Sequence, residues 1–136
     1  MIKYEEIENA YEFVSSGNMY DNTVAVNSKT GEIYYQSEMS GIDELPEDVD
    51  SGGYVFIPHK NDLDLGKNLV FDFVAKFLPE SMDEVNRIFS NRGAYGRFKD
   101  FLDRRALLDA WHQFEDEMTK KALRQWCEEN SLEISE

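Results

Sequence analysis

The fold is decided by residues 23–35, which read TVAVNSKTGEIYY. Residues 23–26 and 32–35 are rich in β-branched and aromatic side chains, which favour strands. The loop between them ends at Gly31, which adopts the positive φ of a hairpin loop at no steric cost. Residues 54–57 form an apolar run that stops at a proline, and they add a third strand. The sequence therefore predicts a small three-stranded antiparallel sheet.

Helical spacing of apolar residues flanks this sheet on both sides. Before it, apolar side chains recur every three or four positions over residues 4–14 and predict one helix. After it, the same spacing predicts a helix over 69–78 and another that begins with a capping box of Ser81 and Glu84. Strands that come first and helices that follow point to an α+β fold, with an N-terminal helix and a C-terminal group of about four helices.

No Gly or Pro follows Gly96, so composition alone is compatible with a single long helix over the end of the chain. The apolar face centred on Phe98, however, lies roughly 140° around the helix axis from the face that holds Trp111. A straight helix cannot bury both faces. We therefore predict a break over 103–107 and a last helix from about Leu107 to Glu129.

Composition indicates one acidic domain. Of the 136 residues, 41% are hydrophobic, and we expect a single domain over 1–136, with the first helix and the strands in about 1–58 and the later helices in about 61–130. The net charge of −14 argues against unspecific binding to nucleic acid or anionic membranes. No apolar run approaches the ~18 residues of a membrane span, and the lone Cys127 allows no internal disulfide. We therefore expect cytoplasmic localisation without membrane contact.

Positive charge is concentrated in residues 87–105, which carry six bases against two acids. Within this stretch, Arg92 and Arg97 bracket a Gly-x-x-Gly turn, where the backbone is accessible and an anion can take charge-assisted hydrogen bonds. The predicted anion site comprises Arg92, Gly93, Tyr95, Gly96, Arg97, Lys99, Arg104 and Arg105. The alternative is a plain corner between two helices, with Gly93 as a C-cap, Tyr95 packed inward and the arginines paired with carboxylates.

A family resemblance rests on three stretches, which are 57–73 (with DLDLG at 62–66), 92–99 (RGAYGRFK) and 126–130 (WCEEN). In these stretches the chain resembles a bacterial family known only as an uncharacterised protein family (UPF class). The resemblance implies a small bacterial cytosolic protein. It implies no activity, cofactor or catalytic residue.

Negative charge is concentrated in residues 1–68, which carry 14 acids and 4 lysines. Residues 38–53 are rich in turn formers and predict an exposed loop with one helical turn near 45–49. This loop holds a predicted acidic partner surface, made of Asp43, Glu44, Glu47, Asp48 and Asp50. A cationic partner would relieve the repulsion among these charges, and the alternative is a solvated loop with no role.

No motif for catalysis or metal binding emerges from the sequence. Asp62 and Asp64 resemble the opening of a calcium loop, but Gly66 and Phe73 stand where further oxygen ligands are needed. The two histidines and one cysteine lack the spacing of a zinc site, and neither a nucleophile elbow nor a phosphate-binding loop is present. We therefore predict a protein that is not an enzyme and needs no cofactor.

The predicted last helix carries an apolar stripe, which comprises Trp111, Phe114, Met118, Ala122 and Trp126. Core packing is the ordinary interpretation of this stripe, and a homodimer through Trp111, Phe114 and Trp126 is the alternative. For the whole chain, the leading hypothesis is a non-enzymatic protein-interaction module, one form of which is an acidic neutraliser of a basic partner. The rival hypothesis is a phosphate or nucleic-acid binder that uses the basic residues of 87–105.

Overall fold

The order of elements is that of an α+β protein. The structure, a computed structural model, describes residues 1–18 and 20–136. Its strands are β1 (Ile2–Lys3), β2 (Asn22–Asn27), β3 (Ile33–Ser37), β4 (Ile42–Asp43), β5 (Tyr54–Phe56) and β6 (Ile134–Ser135). Its helices are α1 (Tyr4–Ser15), α2 (Lys67–Phe77), α3 (Met82–Ile88), α4 (Ala94–Arg104) and α5 (Leu108–Glu129), with 3-10 turns at Lys60–Leu63 and Pro79–Ser81. The predicted first helix and the later group of helices are confirmed.

The main sheet has four strands in the order β4-β3-β2-β5, so the predicted three-stranded sheet is wrong. Its neighbouring pairs are antiparallel, as predicted for β2, β3 and β5. A second, parallel sheet pairs β1 with β6 and is also absent from the prediction. The missed strands β1, β4 and β6 span two residues each, which is too short for an alternation of side chains to be visible in the sequence.

Residues 38–53 contain β4 and tight turns in place of the predicted helical turn near 45–49. The Val49 N–H donates to the Pro46 carbonyl at 3.1 Å, and the Ser51 N–H donates to the Asp48 carbonyl at 2.9 Å. Each bond closes one turn and does not continue into a helix. The expectation of a helical turn is therefore wrong.

The predicted β2–β3 hairpin is confirmed. Its loop is held by Asn27, whose Oδ1 accepts the backbone N–H groups of Lys29 and Thr30 at 2.9 and 3.0 Å. Gly31 has a φ of 79°, and a Cβ on this residue would lie 3.0 Å from the side chain of Ile2. Backbone conformation and space therefore both require glycine here.

The chain divides into two compact units, of which the first comprises Met1–Leu63 and Lys120–Glu136. In this unit α1 packs on β2, and the ring of Phe13 meets that of Tyr35 edge to face at 5.0 Å between centroids. The segment that contains β6 is tied down by Arg124, whose guanidinium donates to both carboxylate oxygens of Glu136 at 2.5 and 2.7 Å. The same guanidinium lies 4.4 Å from the ring centroid of Tyr4.

The second unit, Asp64–Thr119, is helical and has Trp111 in its core. The indole ring of Trp111 meets the rings of Phe73 and Phe98 edge to face, at 5.3 and 5.2 Å between centroids. All three side chains are at most 1% exposed. Core packing, the ordinary interpretation of Trp111, is therefore confirmed.

The predicted break before the last helix is also confirmed, because α4 ends at Arg104 and α5 begins at Leu108. Ala106 turns the chain with a φ of 57°, and the Leu107 N–H donates to the Leu102 carbonyl at 2.9 Å. The two apolar faces of this region can therefore both be buried, as the phase argument requires.

The predicted capping box is wrong, because the side chain of Ser81 makes no hydrogen bond to α3. The residues Pro79–Ser81 already form a 3-10 turn that leads directly into the helix. Among the described residues, no helix is long and apolar enough to cross a membrane. The single domain predicted over 1–136 stays a prediction.

Candidate functional site

The acidic segment, which we define as residues 43–50, exposes all five of its carboxylates. Its first residue, Asp43, lies in β4, so the prediction that the whole segment is a loop is wrong. The backbone N–H of Glu44 donates to the Tyr35 carbonyl at 2.9 Å. The side-chain Oε1 of Glu44 accepts the Tyr35 N–H at 3.0 Å. Further along, Asp48 accepts a hydrogen bond from the Tyr54 hydroxyl at 3.1 Å. The acidic segment is therefore tied to the main sheet at two points.

The outer face of the main sheet, which lies opposite the side of Tyr35 and α1, carries aromatic side chains. Tyr34 and Phe56 both pair with Ala25 from neighbouring strands, so their side chains lie on this one face. The ring of Tyr54 lies 6.2 Å from that of Tyr34. This face is absent from the sequence predictions, although the alternation of Tyr34 with the inward-facing Tyr35 is a period-two signal for it.

Both tyrosine hydroxyls on the outer face donate to carboxylates, Tyr34 to Glu32 at 2.5 Å and Tyr54 to Asp48 at 3.1 Å. The hydrogen bond to Glu32 raises the pKa of Tyr34 to about 12. Burial, followed by the hydrogen bond to Asp48, raises the pKa of Tyr54. The two phenols therefore remain neutral donors at neutral pH. We call the acidic segment together with Glu32, Tyr34 and Tyr54 the acidic face.

The predicted anion site is exposed, but the structure divides it. Arg92, Arg97 and Lys99 are exposed, and none of them forms an ion pair with a residue that the structure describes. Gly93 makes the corner before α4 with a φ of 72°, and open space surrounds both it and Gly96. On α4, Lys99 follows Arg97 by two positions, or about 200° around the helix axis. These two cations therefore lie on different sides of the helix.

The side chains of Arg104 and Arg105 both contact the last turn of α4. The Nε of Arg104 donates to a backbone carbonyl one turn earlier at 3.3 Å. The guanidinium of Arg105 lies 3.7 Å from the ring centroid of Phe101, and its Nη2 lies 3.5 Å from a carboxylate oxygen of Glu84. Tyr95 packs edge to face on a neighbouring ring and is 40% exposed. The residues at the corner before α4 are Arg92, Gly93, Gly96 and Arg97. Anion binding by the predicted site stays a prediction.

The residues of the apolar stripe of α5 also lie in different surroundings. Trp111 is buried in the core of the second unit, so it is not available to a second copy of the chain. Phe114 packs edge to face on Phe73 at 5.4 Å between centroids and is half-buried. Trp126 is half-buried in the first unit. A homodimer that uses Phe114 and Trp126 stays a prediction.

A pocket of about 430 Å³ opens beside the end of β5 in the first unit, and we call it the β5 pocket. The residues that line it include Val14, Tyr20, Phe56, Ile57, Pro58 and Asp62. Tyr20 and Phe56 are 89% and 46% exposed, which is high for rings of this size. No sequence motif marks this pocket, because its lining comes from α1, β2 and the segment after β5, which only the fold brings together.

His59 lies in the wall of the β5 pocket, and backbone groups occupy both nitrogens of its ring. Its Nε2 lies 2.9 Å from the carbonyl oxygen of Gly17, which can only accept, so Nε2 carries the proton. Its Nδ1 accepts the Asn61 N–H at 3.1 Å. The ring therefore has no free position for acid–base chemistry.

Other reactive groups are also constrained. Cys127 is buried, and burial raises the pKa of its thiol, which disfavours the thiolate that a nucleophile needs. In the ranges 1–18 and 20–136, no group of three or more His, Cys, Asp or Glu side chains is placed to hold a metal ion. The absence of enzymatic activity and of a cofactor stays a prediction.

Comparison with known proteins finds no protein-family model, curated protein or solved structure that matches the chain. The resemblance to an uncharacterised bacterial family therefore stays a prediction. Any functional conclusion rests on the geometry and charge of the surfaces described above.

Proposed function

We propose that the protein is a non-enzymatic, cytoplasmic interaction module that binds a basic partner protein through its acidic face. The observation that carries the proposal is a group of exposed carboxylates, two of which accept hydrogen bonds from the hydroxyls of Tyr34 and Tyr54. These carboxylates belong to Glu32, Asp43, Glu44, Glu47, Asp48 and Asp50. The lone, buried Cys127 supports a reducing compartment.

The first argument for binding is that the acidic segment is held in place before any partner arrives. The double hydrogen bond of Glu44 to Tyr35 and the bond of Asp48 to Tyr54 restrain it at two points. A solvated loop would have to be ordered on binding, at a cost of about 0.5–1.5 kcal/mol for each immobilised side chain. Part of that cost has already been met in folding, which favours a role in recognition.

The second argument is chemical complementarity with Arg and Lys side chains. A guanidinium can form two parallel hydrogen bonds with one carboxylate and can stack on an aromatic ring. The acidic face offers both partners side by side, because the rings of Tyr34 and Tyr54 lie next to the carboxylates of Glu32 and Asp48. A net charge of −14 would also steer a positive protein towards the molecule.

The test is capture of partners from the native cell lysate by the wild type and by a variant of the acidic segment. The variant changes Asp43, Asp48 and Asp50 to Asn, and Glu44 and Glu47 to Gln. The amides keep the acceptor oxygens that Tyr35 and Tyr54 use, so the segment should stay folded. We expect a partner with a positive surface, identified by mass spectrometry, whose affinity for the variant is at least about tenfold lower, equivalent to about 1.4 kcal/mol.

A second variant controls for total charge. It replaces five exposed carboxylates elsewhere, at Glu12, Asp72, Glu80, Glu115 and Glu128, with the corresponding amides. Both variants have the same formal charge, because −14 plus five neutralised acids gives −9. The control should capture the partner as the wild type does. Equal capture by all three proteins, or no specific partner for any of them, contradicts the proposal.

A second candidate function is the binding of phosphate groups of nucleic acid at the corner before α4. The observation in its favour is that Arg92 and Arg97 are exposed, and no described residue forms an ion pair with either. Gly93 and Gly96 leave the backbone beside them open to a ligand. The overall negative charge opposes this function, so it ranks below the first.

For this second function, we expect RNA and single-stranded DNA to bind at low salt and to dissociate as ionic strength rises. Arg97→Glu should weaken binding at least about tenfold, because one attraction becomes a repulsion. Lys99→Glu makes the same charge change on the other side of α4 and should have a smaller effect. Fluorescence anisotropy measures all three affinities. If both variants bind as the wild type does, the corner before α4 does not bind nucleic acid.

A further inference from the structure

The β5 pocket has the dimensions and lining of a small-molecule site. Its volume of about 430 Å³ falls within the roughly 300–1,000 Å³ that is usual for ligand pockets. Val14, Ile57 and Pro58 supply buried apolar surface, and Tyr20 and Phe56 are also among the lining residues. A ligand that fits this lining has an apolar body, and a single aromatic ring is small enough to enter.

The charge of the pocket comes from Asp62. It is the one carboxylate among the described residues that line the pocket. Its Oδ2 accepts the backbone N–H of His59 at 3.0 Å, and its own N–H donates to the His59 carbonyl at 2.9 Å. No described residue donates a hydrogen bond to Oδ1. The carboxylate is therefore fixed in orientation while one oxygen remains open to a ligand.

The histidine in the wall of the pocket is not free for acid–base chemistry. The imidazole of His59 is the group in its wall that would ordinarily move a proton. Both of its nitrogens are engaged by the backbone of Gly17 and Asn61. A ligand in the pocket would meet apolar surface and one negative charge, and no free general base from this histidine.

We propose that the β5 pocket binds a small organic cation, an ammonium or amidinium group on a ring-sized apolar body. The cationic group pairs with Asp62, and the apolar body packs against the buried residues Val14 and Ile57. The rings of Tyr20 and Phe56 add attraction for a cation at their faces. This site is separate in its residues from the acidic face, and the proposal does not depend on a protein partner.

The test is a titration of the ¹⁵N-labelled protein, followed by NMR, with benzylammonium and with benzyl alcohol as its neutral counterpart. We expect both probes to shift the amide signals of Thr23, Phe56 and Ile57, which line the pocket. Benzylammonium should bind at least about tenfold more tightly, because it alone pairs with Asp62. Raising the salt concentration should reduce that difference.

Three variants assign the effect to the pocket. Asp62→Asn keeps an acceptor for the His59 N–H and should remove the preference for benzylammonium, so that the two probes bind alike. Glu38→Gln removes an exposed carboxylate that does not line the pocket and should leave the preference intact. Phe56→Ala should weaken both probes.

Three results would overturn this proposal. They are equal binding of the two probes to the wild type, an unchanged preference in Asp62→Asn, or signal shifts confined to the acidic segment. The variant with a neutralised acidic segment should still prefer benzylammonium. Failure of the partner-binding proposal would therefore leave this one standing, and the reverse is also true.

Discussion

Replacing Trp111 with alanine is expected to lower the free energy of unfolding by about 3–5 kcal/mol, the range for a large aromatic residue removed from a core. The indole is 1% exposed and meets Phe73 and Phe98 edge to face. Alanine would leave a cavity that these rings cannot fill without moving. Urea denaturation, followed by far-ultraviolet circular dichroism, measures the change.

The control for Trp111 is the second tryptophan of α5. Trp126 is half-buried, so Trp126→Ala removes less buried surface and should cost less than half as much. Equal effects at the two positions would mean that burial does not distinguish them.

Replacing His59 with alanine is expected to cost about 2–4 kcal/mol, because two backbone groups lose their partners together. The Gly17 carbonyl and the Asn61 N–H both bond to the imidazole, which is 5% exposed. Each of these part-buried hydrogen bonds contributes about 0.5–1.5 kcal/mol, and the lost packing of the buried ring adds to that. The same denaturation experiment measures the loss.

His59→Asn separates the two bonds. Its side-chain oxygen can still accept the Asn61 N–H, as an Asx turn does, but it is too short to reach Gly17. The free energy of unfolding of His59→Asn should therefore lie between the values for the wild type and for His59→Ala. If neither substitution at position 59 changes the free energy of unfolding, the hydrogen bonds of the His59 ring do not stabilise the segment around this residue.

The sequence predicts those parts of the fold whose signals are local and long. The β2–β3 hairpin follows from two strand-forming runs and Gly31, and the break near Ala106 follows from the phase of Phe98 against Trp111. The missed strands have two residues each, so neither propensity nor alternation could reveal them. For β1 and β6, the pairing also depends on a partner that is distant in the sequence.

The same difference between local and long-range signals decides which features of the candidate sites are visible in the sequence. Exposure of Asp43, Glu47 and Asp50 follows from their charge, and it is present as expected. The hydrogen bond of Asp48 to Tyr54 depends on how the acidic segment returns to the sheet, which composition does not encode. Likewise, a run of bases such as Arg97 and Lys99 gives no information on which side of a helix each one occupies until the helix phase is known.

The division of the chain into units has a consequence for the order of folding. The second unit, Asp64–Thr119, is continuous in sequence, whereas the first needs both Met1–Leu63 and Lys120–Glu136. On a ribosome, the helical unit is therefore complete before the last part of the first unit exists. The pairing of Ile2 with Ile134 closes a long loop, and its entropy cost is met only after the segment that contains β6 has been synthesised. Until then, β1 has no partner strand among the described residues, and the nascent protein exposes the strand edge that β6 later covers.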